Sequence, residues 1–360
     1  MSFATVHNTG DKKNLNHRER LYSIDTFRLI SIFFVILHHF PAFKRSYELY
    51  YDKAIVFKSL YYLFGNIRLL PFFFLAAGYF FGKSIIESSA LGDKLWKYCG
   101  RLLKLYVAWS AIYLLFVSPN WWKELQNHGL WLIVVTNVTF LLEHPLQYQT
   151  RGAQEVLWFF PALISGIIIS AVFFAFRREK FLIPLGILLY LIAILGKSYS
   201  ILPIGYDVDV DMKQGPFVST IFVGIGWLLA QKQIHPFKTG LILMIFGLAV
   251  QVTETLVLWK LFGMKAMHEY LLGTVPFCIG IFMMILSKPD FGKNTKFPEW
   301  GKLTLGIYVL HDIVINLFDK IKPLVHPIWW DFTFPALILV ISLIITILMR
   351  KHTLTRPLVT

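Results

Sequence analysis

The stretch Tyr22–Pro41, Y-S-I-D-T-F-R-L-I-S-I-F-F-V-I-L-H-H-F-P, is long and apolar enough to cross a membrane as a helix, yet it carries Asp25, Arg28, His38 and His39. Lipid offers such groups no water, so in a membrane helix they face protein or a watery cavity and mark a candidate site. A helix turns about 100° and rises about 1.5 Å per residue, which puts Arg28 and His39 within about 20° of one stripe and roughly 16 Å apart. Asp25 precedes Arg28 by one turn and reaches it on the same face, whereas His38 points about a quarter-turn away. Anchoring is the competing reading, with Arg28 snorkelling to head groups and His39 sitting at the far interface. Two anchors need no common azimuth, and the shared stripe favours a site.

The rest of the chain has the same character. Of its 360 residues 56% are hydrophobic and only 16% charged, with mean hydropathy +0.59, which describes an all-α polytopic membrane bundle rather than a soluble domain. We read ten spans: 23–40, 66–82, 102–118, 155–176, 182–197, 215–231, 239–259, 270–287, 303–319 and 332–349. Residues 1–22 are polar, without a signal-peptide core, and read as a flexible cytosolic tail. Residues 23–350 form one membrane domain, and 351–360 a cytosolic C-terminal tail. With the N-terminus inside, 20 of the 35 Lys and Arg fall in inner segments and 11 in outer ones. That bias supports an N-in, C-in arrangement and explains the formal charge of +14 as topology, with no nucleic-acid partner. Two cysteines, Cys99 and Cys278, suggest neither a disulfide nor a metal set.

Several later features can carry chemistry, and each has a plainer alternative. The second span, N-I-R-L-L-P-F-F-F-L-A-A-G-Y-F-F-G, holds a proline able to bend it and a small patch at Ala76, Ala77 and Gly78. That patch suits close helix packing, or less simply ligand contact; Arg68 beside it reads as interfacial. Arg101 and Lys104 share a face entering the third span. They are either positive-inside anchors or cations able to hold phosphate. Residues 119–154 read as the largest outer loop, whose apolar run 130–142 is short for a span. Glu155 and Trp158 follow at the mouth of the fourth span, where the Trp is either interface belt or sugar platform. In D-V-D-V-D-M, residues 207–212, the Gly and Glu of a calcium loop are missing, so a solvated acidic loop is expected. Glu254 and His311 interrupt the seventh and ninth spans, and an intramembrane carboxylate needs a partner or a cavity.

Together these stretches resemble the acyltransferase-3 family of integral-membrane O-acyltransferases, and most closely the branch that acetylates surface polysaccharides. The resemblance rests on four pieces: the R-x10-H element at Arg28 and His39, P-F-F-F-L-A-A-G-Y-F-F-G in the second span, L-W-F-F-P-A-L-I at 157–164, and L-G-I-Y-V-L-H at 305–311. Two features depart from the family pattern. Lys104 stands where the family often has a second arginine, keeping charge but not the bidentate fork. Ala77-Gly78 stands where Ser-Gly is usual.

The resemblance implies transfer of an acetyl (or other acyl) group from cytosolic acetyl-CoA to a hydroxyl of a glycan or lipid-linked saccharide, in a bacterial inner membrane. Acetyl-CoA is then a substrate, with no tightly bound cofactor or metal, and membrane lipid is the other partner. Catalysis falls to His39 as general base with Arg28 and Asp25, and donor binding to Arg28, Arg101 and Lys104. Glu155, Trp158, Glu254 and His311 are acceptor-side candidates. A transporter or flippase for a glycolipid or small solute is the rival class, weakened by the lack of an inverted repeat.

Overall fold

The structure, a computed structural model, describes residues 20–40, 43–50, 55–86, 90–114, 121–143, 152–207, 211–232, 234–264, 268–318 and 321–360. The expected tail up to residue 19 and Asp209 of the acidic loop lie outside the described residues. Among the described residues every regular element is helical, without strands. α1 (Tyr22–His39) is followed by two short helices, α2 (Lys44–Leu49) and α3 (Ile55–Asn66), in a segment the sequence suggested was loop. α4 (Pro71–Ile86) opens at its proline instead of bending there, because a first helical turn has no use for the missing N–H. α5 (Leu91–Tyr113) and α6 (Trp121–Glu143) come next. α6 occupies much of the expected outer loop and breaks at Gly129 (φ 73°, ψ 166°), backbone that glycine alone adopts readily.

The later helices are α7 (Phe159–Ala175), α8 (Leu182–Leu195), α9 (Pro216–Ala230), α10 (Phe237–Phe262), α11 (Thr274–Leu286), α12 (Phe297–Gly301), α13 (Thr304–Phe318), α14 (Pro327–Lys351) and α15 (Arg356–Val359). Four helical segments are long and apolar enough to cross a membrane: Ile55–Ile86, Glu155–Ala175, Phe237–Phe262 and Pro327–Lys351. Pro216–Ala230, Thr274–Leu286 and Thr304–Phe318 are apolar but shorter. Large side chains lie bare on these surfaces, such as Ile242 (67% exposed) and Phe246 (58% exposed) on α10. A continuous apolar exterior of that kind suits lipid, not water.

α9 lies in the middle, packed against α4, α7 and α8. Its contact with α4 is backbone on backbone. A Cβ on Gly78 would sit 2.1 Å from the Val223 carbonyl oxygen, and one on Gly226 2.1 Å from that of Leu75. Without lipid-excluded water to drive association, such close approach supplies the dispersion contact that holds membrane helices together. The small patch of the second span is therefore packing surface at Gly78. α1 belongs to a second group, against α11, α12, α13 and α14, and is seated so tightly that a Cβ on Gly301 would lie 1.7 Å from the Asp25 carbonyl oxygen.

Gly226→Val should push α4 and α9 apart and cost about 1–3 kcal/mol by overpacking. Gly92→Ala, with nothing within 4 Å of its added Cβ, should keep stability or raise it by up to about 1 kcal/mol through helix propensity. Thermal melting of the two purified variants checks this.

Candidate active site

The charged stripe of α1 ends at two cavities. The Arg28 end lines one of about 320 Å3, enclosed by α1, α4, α5, α7 and α13, with Arg101 and Lys302 as further cations and walls such as Phe73, Phe159 and Tyr308. The His39 end lines another of about 220 Å3, together with Glu155, Trp158, Arg68, Lys213 and Glu269. Leu70, in the last residue before α4, faces both cavities. The arrangement sets a mainly apolar, cation-ended hollow and a polar hollow end to end along one helix.

At the Arg28 end, Asp25 is buried and accepts from Arg28 Nη1 at 3.1 Å and from Arg20 Nε at 3.2 Å. Arg20 in turn meets Glu299 at 2.5 Å, tying the start of α1 to α12. Asp25 thus offsets the charge of Arg28 and fixes its guanidinium, as the one-turn spacing predicts. Arg101 is exposed, lines this cavity, and donates from Nε to the Thr360 carbonyl at 3.2 Å. Lys104 does not reach the same cavity; it lines a separate hollow of about 820 Å3 beside Arg101 and Leu358.

At the other end, His39 and His311 stand with ring centroids 5.1 Å apart. His311 is fully buried, and its Nδ1 lies 2.5 Å from the Tyr308 carbonyl oxygen. A carbonyl only accepts, so Nδ1 carries the proton, and in its neutral form the ring presents Nε2 as an acceptor. Nε2 is buried without a hydrogen-bond partner. Asp312, the adjacent carboxylate, is taken by Gln154 Nε2 at 2.6 Å. His38 is exposed but, despite its quarter-turn offset, also borders this cavity.

An ion-pair network unforeseen in the sequence closes the His39 cavity. Lys213, 7% exposed at its side chain, contacts Glu155 at 2.6 Å, Asp211 at 3.0 Å and Glu269 at 3.3 Å. Lys197 contacts Asp211 at 2.7 Å and Glu269 at 2.9 Å. Asp211 is thus a structural partner, which corrects the expectation of a merely solvated acidic loop. Burial alone would lower the Lys213 pKa, but Glu269, Asp211 and Glu155 outweigh it and raise the ammonium above its ordinary value. Burial likewise opposes ionisation of Glu269, yet Lys213, Lys197 and Arg68 hold its carboxyl below the ordinary range. Arg68 is no interface anchor: it lines the cavity, donates from Nε to the His268 carbonyl at 3.1 Å, and keeps Nη1 buried without a hydrogen-bond partner.

Trp158 lies in the cavity wall, but its ring is packed against Phe74 and beneath the Lys213 ammonium, 5.8 Å from the ring centroid. Glu254 sits apart from both cavities. Its carboxylate accepts from the Tyr199 hydroxyl and from the Leu272 and Gly273 N–H groups at 3.1 and 3.0 Å. It caps the positive N-terminal end of α11. The structure therefore gathers Asp25, Arg28 and Arg101 at one end and His39, His311, Glu155 and Trp158 at the other.

The network has a readable pH signature. Glu269, depressed in the fold, contributes stability above its unfolded pKa and loses it as pH falls through the folded value. Lys213, raised, contributes below its unfolded pKa and loses it only in alkali. Wild type should therefore melt lower on going from pH 7 to pH 4. Lys213→Met removes the cation shared by three carboxylates, leaving Lys197 to Asp211 and Glu269 and no ion-pair partner to Glu155, and costs about 3 kcal/mol at neutral pH. Their pKa values then rise, and acid relieves the repulsion. That variant should lose less melting temperature in acid, or gain it, and parallel curves would contradict the assignment.

An amino-acid racemase of Enterococcus faecalis is 24% identical over 326 residues, covering 85% of this chain and 42% of that protein. The chain spans about two fifths of the length of this curated relative. No solved structure matches the chain. The acyltransferase domain of the acyltransferase-3 family matches residues 21–350. The chain accordingly belongs to the acyltransferase-3 family and carries that family's membrane acyltransferase domain.

Proposed function

We propose that this protein moves an acetyl group from cytosolic acetyl-CoA to a hydroxyl of a cell-surface glycan or glycolipid precursor. The observation that carries the reading is the pair of cavities at the two ends of one α1 stripe, with Leu70 facing both. In this account ten helices cross a bacterial inner membrane with both termini in the cytosol, which sets Arg28 on the donor side. Arg28 and Arg101 hold donor phosphates by charge-assisted hydrogen bonds, with Lys104 outside the cavity as an attracting charge. The pantetheine arm lies in the mainly apolar hollow, and its thioester passes Leu70 to reach His39. The donor is a substrate, with no resident cofactor.

His39 then acts as general base, since an imidazole exchanges protons near neutral pH. It takes the proton of the acceptor hydroxyl, whose oxygen attacks the thioester carbon. The C–S bond breaks, and the departing thiolate takes the proton back from His39 to give CoA-SH. In the reacting complex His311 Nε2, which has no partner in the structure, accepts the N–H of His39, and the other ring nitrogen is left for the hydroxyl. Arg68 Nη1 supplies a donor for the oxyanion that develops on the carbonyl. Glu155 and Trp158 border the acceptor, and Lys213 holds Glu155 in place. Glu254 serves the fold rather than the acceptor.

The test is transfer of label from radiolabelled acetyl-CoA to the glycan and glycolipid fraction of membranes containing the protein. His39→Ala should abolish transfer, and Arg28→Ala should raise the KM for acetyl-CoA by about tenfold or more. His311→Gln, whose amide oxygen still accepts, should keep more activity than His311→Phe. Full activity in accumulated His39→Ala protein would remove His39 as the base.

A further inference from the structure

His39 also borders a second cavity, of about 250 Å3, which shares no other lining residue with the Glu155 cavity. Its charged lining consists of Lys44, Arg45, Lys322 and one carboxylate, Glu48. Glu48 is engaged by Lys44 at 3.7 Å, one turn away on α2. Arg45 makes no ion pair among the described residues. Its Nη1 donates instead to the backbone carbonyls of Lys322 at 2.8 Å and Val325 at 3.2 Å, which fix the guanidinium without neutralising it.

Two cations converge on one ring here. The Arg45 guanidinium lies 5.7 Å from the Trp330 ring centroid and the Lys322 ammonium 5.9 Å from it. Trp330 is buried and clamped between Phe40 at 5.2 Å and Phe334 at 4.1 Å, so it holds both charges at a set place beside His39. Asp331, the next residue on α14, offsets part of the Arg45 charge from behind. It is buried, does not line the cavity, and spends Oδ2 on the Ser46 N–H at 2.7 Å, bracing α2. Both cations border the cavity, so an anion inside it meets two cationic hydrogen-bond donors.

We propose that this cavity is a subsite for an anionic group of the acyl acceptor, a carboxylate or a phosphate, held by Arg45 and Lys322 while a neighbouring hydroxyl reaches His39. The inference rests on the reading of His39 as the base. It narrows the acceptor to an acidic sugar or a sugar phosphate. An anionic phospholipid head group offers the same chemistry from a different source, and the experiment separates the two.

Carbethoxylation of His39 by diethylpyrocarbonate, followed by peptide mass spectrometry that distinguishes His38, reads occupancy of this place without acetyl-CoA. Failure of acetyl transfer and failure of the subsite are thereby distinguishable. In phosphatidylcholine nanodiscs, glucuronate should slow modification of wild-type His39, and glucose at the same concentration and ionic strength should not. Inorganic phosphate should protect in the same way. Arg45→Gln and Lys322→Gln should each weaken protection by about tenfold in the glucuronate concentration required. Arg45→Lys, which retains the charge, should keep most of it and shows that the site survives substitution. Equal protection by glucose, or undiminished protection in both glutamine variants, would overturn the proposal. Protection by phosphatidylglycerol in the disc with no added sugar would assign the site to lipid and overturn the acceptor reading.

Discussion

A polar group inside an apolar bundle has to find its partner in the protein, and this constraint organises the molecule. Asp25 meets Arg28 within α1, and the Tyr113 and Tyr190 hydroxyls reach backbone carbonyls of Val309 and Leu271 at 2.9 and 2.7 Å. Glu254 satisfies the open N–H groups at the start of α11. Against that background, His311 Nε2 and Arg68 Nη1 matter because they are buried without hydrogen-bond partners beside His39 or in its cavity wall. Unmet donors and acceptors are costly in a core; here they are available to the reacting groups.

Packing explains why the hollows exist. Glycine contacts draw α4 and α9 together until their backbones touch, while α1 seats against α12 through Gly301. Between these tight joints stand large rings, Phe73, Phe159 and Tyr308, which hold helices apart and line the cavity at the Arg28 end. Rigid walls of this kind position a flexible donor arm at little entropic cost. The His39 end is closed differently, by loop residues locked in ion pairs.

The sequence carried some of this plainly. The Arg28–His39 stripe follows from helix geometry alone, and the helices around it follow from apolar run lengths. His311 was visible as a histidine inside a span, though not its pairing with His39, which requires α1 and α13 to be neighbours. Lys213, Glu269 and Arg68 were hidden because each looks like an ordinary loop or interface charge until tertiary contacts bring them to one cavity. Glu254 and Lys104 show the converse. Both have the right residue type at a suggestive place, but a helix N-terminus captures Glu254, and Lys104 faces a different hollow from Arg28. Local pattern sets which face a residue occupies, and only packing sets what that face meets.

The central claim is that one helix presents donor and base at its two ends. It is tested most directly by a cryo-EM structure of the protein in nanodiscs with a non-cleavable thioether analogue of acetyl-CoA. The account predicts the phosphates at Arg28 and Arg101, the pantetheine arm running past Leu70, and the acetyl carbonyl within hydrogen-bond reach of Arg68 and beside His39. An analogue seated in the Lys104 hollow, with its acetyl end remote from His39, would contradict it.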